Sequence, residues 1–413
     1  NYSFSQETVF ELLNANQTGV EFNNIIEDKK EHNILLYANY YGGGGVGIAD
    51  FDNDGLQDIY FGGNLVADKI YRNLGNFKFS DKTLSSGIND NGSWSSGITI
   101  ADVNNDGLVD VYVSKELYDD KPELRRNKLY INKGDFTFEE SSKKWGVDVS
   151  ARTRHAVFFD YNNDGHLDLY LLNQPPNPGS YSKFFGSDLT LPEYSLQLFK
   201  NTGNNSFIDV TKEAGLNRTG FPNSVVASDL NQDGYVDLYV ANDFDAPDFL
   251  YYNNGDGTFS YETESSLKHT SFYSMGVDSA DINNDGELDI MVVDMTAEDN
   301  FRLKSNMSGM NPSSFWKVVE NGGHFQYMFN SLQINNGDKT FSDVAQYTKT
   351  SSTDWSWANL IADFDNDGLK DIYVTNGLLR DIRNTDADKK VGQFVLKIAD
   401  DYVKKNKSFD YNL

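Results

Sequence analysis

Nine residues, Asp50-Phe51-Asp52-Asn53-Asp54-Gly55-Leu56-Gln57-Asp58, write a pattern D-x-[DN]-x-D-G-x-x-D that returns five more times, from Asp102, Asp160, Asp229, Asp281 and Asp363. The starts lie 52, 58, 69, 52 and 82 residues apart. Six copies at this spacing commit the chain to a repeat architecture, because a unit of ~50–60 residues cannot bury its own sheet faces and must stack on its neighbours. Every copy has an oxygen-bearing side chain at positions 1, 3, 5 and 9 and glycine at position 6. Alternate positions turn their oxygens toward one point, and the glycine permits the bend that lets the next carbonyl join them. That is the chemistry of a hard-cation cage, so about six Ca2+ ions are the expected cofactor. Plain Asp/Asn/Gly turns would not require a fixed acid at position 9.

The flanks are not those of an EF-hand, which has helices on both sides and a bidentate glutamate at position 12. Here position 12 is Phe61, Val113, Leu171, Val240, Val292 and Val374. Val46-Gly47-Ile48-Ala49 leads into the first loop and Ile59-Tyr60-Phe61 leaves it; Val111-Tyr112-Val113, Leu238-Tyr239-Val240 and Ile372-Tyr373-Val374 repeat the exit. Short β-branched and aromatic runs beside Gly/Asn/Asp clusters predict strands. A second pair follows, as in Ile70-Tyr71-Arg72-Asn73-Leu74-Gly75 with Phe77-Lys78-Phe79, and Leu129-Tyr130-Ile131-Asn132-Lys133-Gly134 with Phe136-Thr137-Phe138. The unit is therefore strand, metal loop, strand, strand, Asn-x-Gly hairpin, strand. Four antiparallel strands per unit, stacked radially, give an all-β protein: a β-propeller of four-stranded blades forming a single domain over 1–413. Within 1–45, Val9–Leu12 and Gly19–Phe22 read as a strand pair that closes the ring. Insertions are expected at 174–196 and 295–329, either as functional loops or as caps on a propeller face. Residues 378–413 change period and predict a C-terminal helix.

Lys+Arg 35 against Asp+Glu 62 gives a net charge of −27, which argues against nucleic acid as a partner. Six divalent ions would bring it to −15, so much of the acidity faces metal. No run approaches the ~20 apolar residues of a transmembrane segment. Cysteine is absent. Loops with few carboxylates suit millimolar calcium, so the expected setting is extracellular, periplasmic or at the cell surface.

The loops, their strand flanks and the Asn-x-Gly hairpins resemble the FG-GAP/VCBS repeat family, which includes integrin α-subunit propellers. Asp294-Met295, Trp355-Ser356-Trp357-Ala358 and Thr375-Asn376-Gly377-Leu378-Leu379-Arg380-Asp381 look similar, more narrowly, to large VCBS-repeat surface proteins of Bacteroidetes. The resemblance implies seven blades, six of them with visible metal loops, with a closed six-bladed ring as the alternative. It also implies a calcium-stabilised, non-catalytic scaffold that binds protein partners, outer-membrane or surface proteins, and that can be lipid-anchored. Carried over position by position, the ligands are Asp50, Asp52, Asp54, Leu56 and Asp58; Asp102, Asn104, Asp106, Leu108 and Asp110; Asp160, Asn162, Asp164, His166 and Asp168. The last three loops supply Asp229, Asn231, Asp233, Tyr235 and Asp237; Asp281, Asn283, Asp285, Glu287 and Asp289; Asp363, Asp365, Asp367, Leu369 and Asp371. Position 7 contributes its backbone carbonyl. Asn at position 3 lowers ligand charge in four loops, so those at Asp50 and Asp363 are expected to bind most tightly.

Enzymatic signals are sparse. Gly42–Gly47 matches G-x-G-x-x-G formally but runs into a strand instead of opening a helix. A glycine cluster there suits close approach of backbones. The five histidines form no H-E-x-x-H, and no G-x-S-x-G elbow is present. A carboxylate-pair glycosidase is the weaker alternative, since most aspartates sit in the loops. A glycan-binding module using Trp94, Trp145, Trp316, Trp355 or Trp357 is the main alternative to protein binding, and the fold alone does not choose.

Overall fold

Each repeat becomes one small antiparallel sheet. The computed structural model describes residues 10–175, 194–305, 312–377 and 384–406, apart from 35, 38, 91 and 245. Blade 1 comprises Val46–Ala49, Asp58–Phe61, Lys69–Asn73 and Phe79–Asp81; blade 2, Trp94–Ala101, Asp110–Glu116, Lys128–Asn132 and Phe138–Glu140. Blade 3 comprises Thr153–Phe159, Asp168–Asn173, Gln197–Asn201 and Phe207–Asp209; blade 4, Pro222–Ser228, Asp237–Asn242, Phe249–Asn253 and Phe259–Tyr261. Blade 5 comprises Val277–Ala280, Asp289–Val292, Ser331–Asn335 and Phe341–Asp343. Blade 6 holds Asp354–Ala362 and Asp371–Asn376, with the two-residue strand Met295–Thr296 paired to the first of them.

Why the third strand turns into the fourth is visible in the Asn-x-Gly signature. The side chains of Asn73, Asn132, Asn201, Asn253 and Asn335 each accept from the N–H of the glycine two residues on, at 2.9–3.0 Å. Those glycines hold φ between 71° and 81°, the left-handed region that costs a residue with Cβ most.

The first strands of consecutive blades lie against one another from blade 1 to blade 6, placing them on the inside of the ring. The apolar cores lie between blades. Phe51, Tyr60 and Ile70 of blade 1 pack with Ile98, Val111, Tyr130 and Phe138 of blade 2, and Val103 and Tyr112 of blade 2 with Leu169, Phe199 and Phe207 of blade 3. Burial of this kind, at roughly 25 cal/mol per Å² of apolar surface, holds the stack together.

Two expectations need correction. The described residues form six blades, not seven: after Asp371–Asn376 the next element among them is the helix Thr385–Asn406, and blade 6 has no third strand among the described residues. That helix agrees with the predicted change of period; 378–383 and 407–413 lie outside the described residues. Between 10 and 45 no strand forms among the described residues. Instead Ala15–Thr18 is a helical turn closed by a capping box, Asn14 and Gln17 bonding each other's backbone N–H. Of the first insertion, 176–193 lie outside the described residues; the second holds two helices, Asn300–Ser305 and Pro312–Glu320. Among the described residues no helix is long and apolar enough to cross a membrane.

Candidate metal centres

All six acidic loops join a first strand to a second strand, and they repeat one internal geometry. The position-1 carboxylates of Asp50, Asp102, Asp160, Asp229, Asp281 and Asp363 accept from the backbone N–H groups of positions 5 and 6 at 2.8–3.1 Å. Position 5 (Asp54, Asp106, Asp164, Asp233, Asp285, Asp367) accepts from the N–H of position 7. These bonds wind the backbone around a point and leave lone pairs directed there. In two loops one oxygen from each of three carboxylates gathers within 4.8 Å: Asp50, Asp52 and Asp58, and Asp363, Asp365 and Asp371. Bringing three carboxylates together without a cation is unfavourable, and an all-oxygen donor set fits a hard divalent ion. Where position 3 is Asn104, Asn162 or Asn283, its amide N–H donates to the position-5 carboxylate, spending a donor where Asp would add charge. Asn231 keeps its Nδ2 buried without a hydrogen-bond partner.

Position 9 does two jobs. Asp58, Asp110, Asp168, Asp237 and Asp289 are buried, and each accepts from the N–H of position 2 and of the third-strand asparagine. Burial lifts Asp110, Asp168 and Asp237 to about 7 and Asp58 to about 6, in spite of those bonds, and raises Asp289 in the same sense. Asp371, on the incomplete blade, is exposed and accepts from Phe364.

Two features escaped the sequence reading. Position 4 is an amide in every copy, held at φ 54–59°, and in the first five copies its side chain reaches the position-6 carbonyl of the next loop. The links run Asn53 to Gly107, Asn105 to Gly165, Asn163 to Gly234, Gln232 to Gly286 and Asn284 to Gly368, at 2.6–3.4 Å. Six loops thus form a hydrogen-bonded chain along one rim. The signal was present, since only Asn or Gln occupies that position. The second feature is a pair of cations placed over the acids. Arg72 forms ion pairs with Asp52 and with Asp54 at 3.2 Å, and Lys200, at the same place in blade 3, pairs with Asp164 at 3.2 Å.

Of the remaining candidates, all but Trp316 are packed or hydrogen-bonded into the fold. Trp94, Trp145 and Trp355 are buried in packing contacts, Trp357 donates to the Gly377 carbonyl, and Trp316 is 53% exposed. His155 is held down to about 4 by burial, and His269 lies 3.2 Å from Asp343. Gly44 and Gly62 show why the glycine run is there: a Cβ on either would overlap the other's carbonyl oxygen.

A propeller of such loops defines a class, and the chain belongs to the FG-GAP-like repeat family, which it matches over 33–113, 119–171, 188–240, 229–292 and 318–374. Among individual proteins it is similar to cartilage acidic protein 1. The human protein is 22% identical over 81% of this chain and 56% of its own length; that of Xenopus tropicalis is 24% identical over 80% and 48%. The chain thus spans about half the length of the curated relatives it matches. These relatives are vertebrate proteins, so the narrower Bacteroidetes resemblance rests on its own motifs alone. Among solved structures, an Agrocybe aegerita lectin specific for non-reducing terminal N-acetylglucosamine aligns with TM-score 0.46 at 17% identity, over 80% of this chain and 73% of the lectin. A V. cholerae biofilm matrix protein aligns with TM-score 0.34 at 15% identity, over 72% of this chain and 38% of that one.

Proposed function

We propose that the chain is a non-catalytic, calcium-stabilised propeller that presents an interaction surface to protein partners outside the cytosol. The observation that carries this reading is the rim itself: six acidic loops of one geometry, tied blade to blade. Side-chain oxygens at positions 1, 3, 5 and 9 and the carbonyl of position 7 would hold the ion. Bound calcium supplies positive charge that relieves carboxylate repulsion. The loops then hold their neighbours in register, and the surface built on that frame becomes rigid enough to bind a partner. Low-charge loops fill at extracellular calcium levels, which supports the location, as does membership of a family shared with a cartilage protein. Surface attachment at an outer membrane through a lipid is the narrower form of the same reading.

Pull-down of the tagged chain from its native surface fraction tests this, once with ~1 mM calcium and once with chelator. A stoichiometric protein complex found with calcium alone is the expected result. Recovery of the folded, calcium-loaded chain by itself would count against it. Glycan binding keeps one specific support, the exposed Trp316 beside Phe315, whose rings meet edge to face at 5.2 Å. A calcium-containing glycan array separates the two readings.

A further inference from the structure

Where one blade meets the next, the repeat brings three places together: the residue just before the third strand, the one seven residues before the next loop, and the one five residues after that loop's position 9. Between blades 1 and 2 these are Asp68, Ser95 and Lys115. Asp68 accepts from the Tyr60 hydroxyl at 2.9 Å, the Gly63 N–H at 2.7 Å and the Ser95 hydroxyl at 2.6 Å, and the Lys115 ammonium, 3.4 Å away, balances its charge. Between blades 2 and 3 they are Asn127, Thr153 and Asn173, neutral and hydrogen-bonded in a row at 2.8 Å. Leu196, Pro222 and Asn242 follow between blades 3 and 4, and Asn330, Ser356 and Asn376 between blades 5 and 6. At each of these junctions the three side chains are neutral or their charges cancel.

The junction of blades 4 and 5 differs. Its three residues are Asp248, Ser274 and Asp294, all fully buried. A second carboxylate thus stands where Lys115 stands, and among the described residues no Lys or Arg pairs with either acid. The donors around the two are divided unequally. Asp294 accepts from the N–H groups of Phe272, Tyr273 and Met295 and from the hydroxyls of Ser271 and Thr296, at 2.6–3.4 Å, the surroundings of an ionised carboxylate. Asp248 accepts from the Tyr239 hydroxyl and the Asn242 N–H, each at 2.8 Å, and the Ser274 hydroxyl faces it without completing a hydrogen bond. Two buried like charges with no cation between them repel, so the pair retains one proton, and the donor pattern assigns it to Asp248. Burial, with the charge of Asp294 added, lifts Asp248 to about 7, and burial lifts Asp294 to about 6. The titratable groups facing Asp248 are Tyr239 from blade 4 and Asp294 from blade 5; beyond Tyr239 lie Asp343 and His269, 3.2 Å apart.

Both sides of this junction also grip the second insertion, 295–329. Asp294 holds its first N–H, that of Met295, and through Ser271 it holds the short strand Thr270–Ser271 that pairs with Gln326–Tyr327. The Ser271 hydroxyl donates as well to the Phe329 carbonyl. From the insertion, the Gln326 amide donates to the carbonyls of Phe244 and Ala246, at 3.1 and 3.0 Å, in the turn that leads into Asp248. We propose that the junction of blades 4 and 5 is a proton-dependent latch: with Asp248 neutral the insertion is seated across both blades, and when Asp248 ionises beside Asp294 the blades part there and the insertion loosens. An acid whose proton is held more tightly in the fold gives stability that is complete below about 4 and is lost as pH rises through about 7. The latch depends neither on the partner reading nor on calcium in the loops.

The test is amide hydrogen exchange on the full chain, corrected for its intrinsic pH dependence, at about pH 6 and about pH 8.5. It is read over residues 271–275 and 326–329, with residues 92–96, the counterpart beside Asp68 and Lys115, as internal reference. Position-9 acids flank both junctions, Asp58 and Asp110 at one and Asp237 and Asp289 at the other, so their titration appears in both readings. Each pH unit above the acid's value in the fold costs about a factor of ten. Opening at 271–275 and 326–329 should therefore rise by about tenfold or more relative to 92–96. Asp248→Asn puts here the residue type of Asn127 and Asn330, and it should remove the excess response and leave 271–275 protected at both values. Tyr239→Phe takes away a donor to the ionised acid and should move the midpoint of opening to higher pH. An equal response at 92–96 and 271–275, an unchanged response in Asp248→Asn, or a midpoint that does not rise in Tyr239→Phe overturns the proposal.

Discussion

Arg72 sits where a cation binds, and that makes it a test of what its loop is for. Its guanidinium pairs with both Asp52 and Asp54, offsetting one of their two charges, and it is itself 38% exposed, so each ion pair is worth a fraction of a kcal/mol. A divalent ion in the first loop must compete with it. Arg72→Ala is expected to tighten calcium at that loop by about fivefold, from roughly 1 kcal/mol of lost competition; terbium luminescence or calorimetry reads it, and unchanged or weaker binding contradicts it. The two strongest loops are then expected to separate, with the Asp363 loop, which pairs with no arginine among the described residues, ahead of the Asp50 loop. Position 9 gives a pH signature. Asp110, Asp168 and Asp237 lie near 7 and Asp58 near 6 in the fold, against an ordinary 3.8. A carboxyl raised in the fold holds its proton more tightly there, so its stabilising contribution is complete below about 4 and is lost as pH rises through 6 to 7. The ion-free protein should melt several degrees lower at pH 8 than at pH 5, and calcium, which favours the ionised form, should shrink or reverse that difference. An ion-free melting temperature that rises over the same interval would sink this reading.

At the scale of the element, the strands that meet at the ring's interior set the tightest tolerances. Gly44→Ala places a methyl against the Gly62 carbonyl, backbone against backbone, and should destabilise by about 2–3 kcal/mol, read as a lower denaturation midpoint with an unchanged slope. The rim link is gentler. Asn163→Ala removes one bond between the third and fourth loops and should cost about 1 kcal/mol while lowering calcium affinity at both; an effect confined to the mutated loop would show that the rim does not couple its sites. Loop, exit strand and Asn-x-Gly hairpin were legible in the sequence because each is a local rule: alternate oxygens, glycine at positive φ, β-branched runs. Arg72 over the first loop was not, since only the hairpin brings the third strand across it. Val9–Leu12 and Gly19–Phe22 carry a strand pattern, yet Asn14 and Gln17 close a capping box between them, and no ladder forms between 10 and 45 among the described residues. The rim amides could have been read, because position 4 never departs from Asn or Gln, but a loop considered singly gives that side chain no partner.

For the whole molecule, charge and architecture belong together. A chain at −27 whose acids cluster in six loops along one rim carries an electrostatic load that a divalent ion in each loop would bring to −15. Cores lying between blades and not within them mean that loosening one rim contact exposes two sheets at once. The stack should therefore lose stability cooperatively when ions are withdrawn. The measurement that bears most directly on this is calcium uptake by calorimetry on the chelator-stripped chain, paired with its melting temperature at each point of the titration. The account predicts uptake approaching six ions per chain, tightest at the Asp363 loop, with a melting temperature that climbs as the sites fill. A stripped chain that takes up no calcium at millimolar concentration and melts at the same temperature with and without it would contradict the account at its centre.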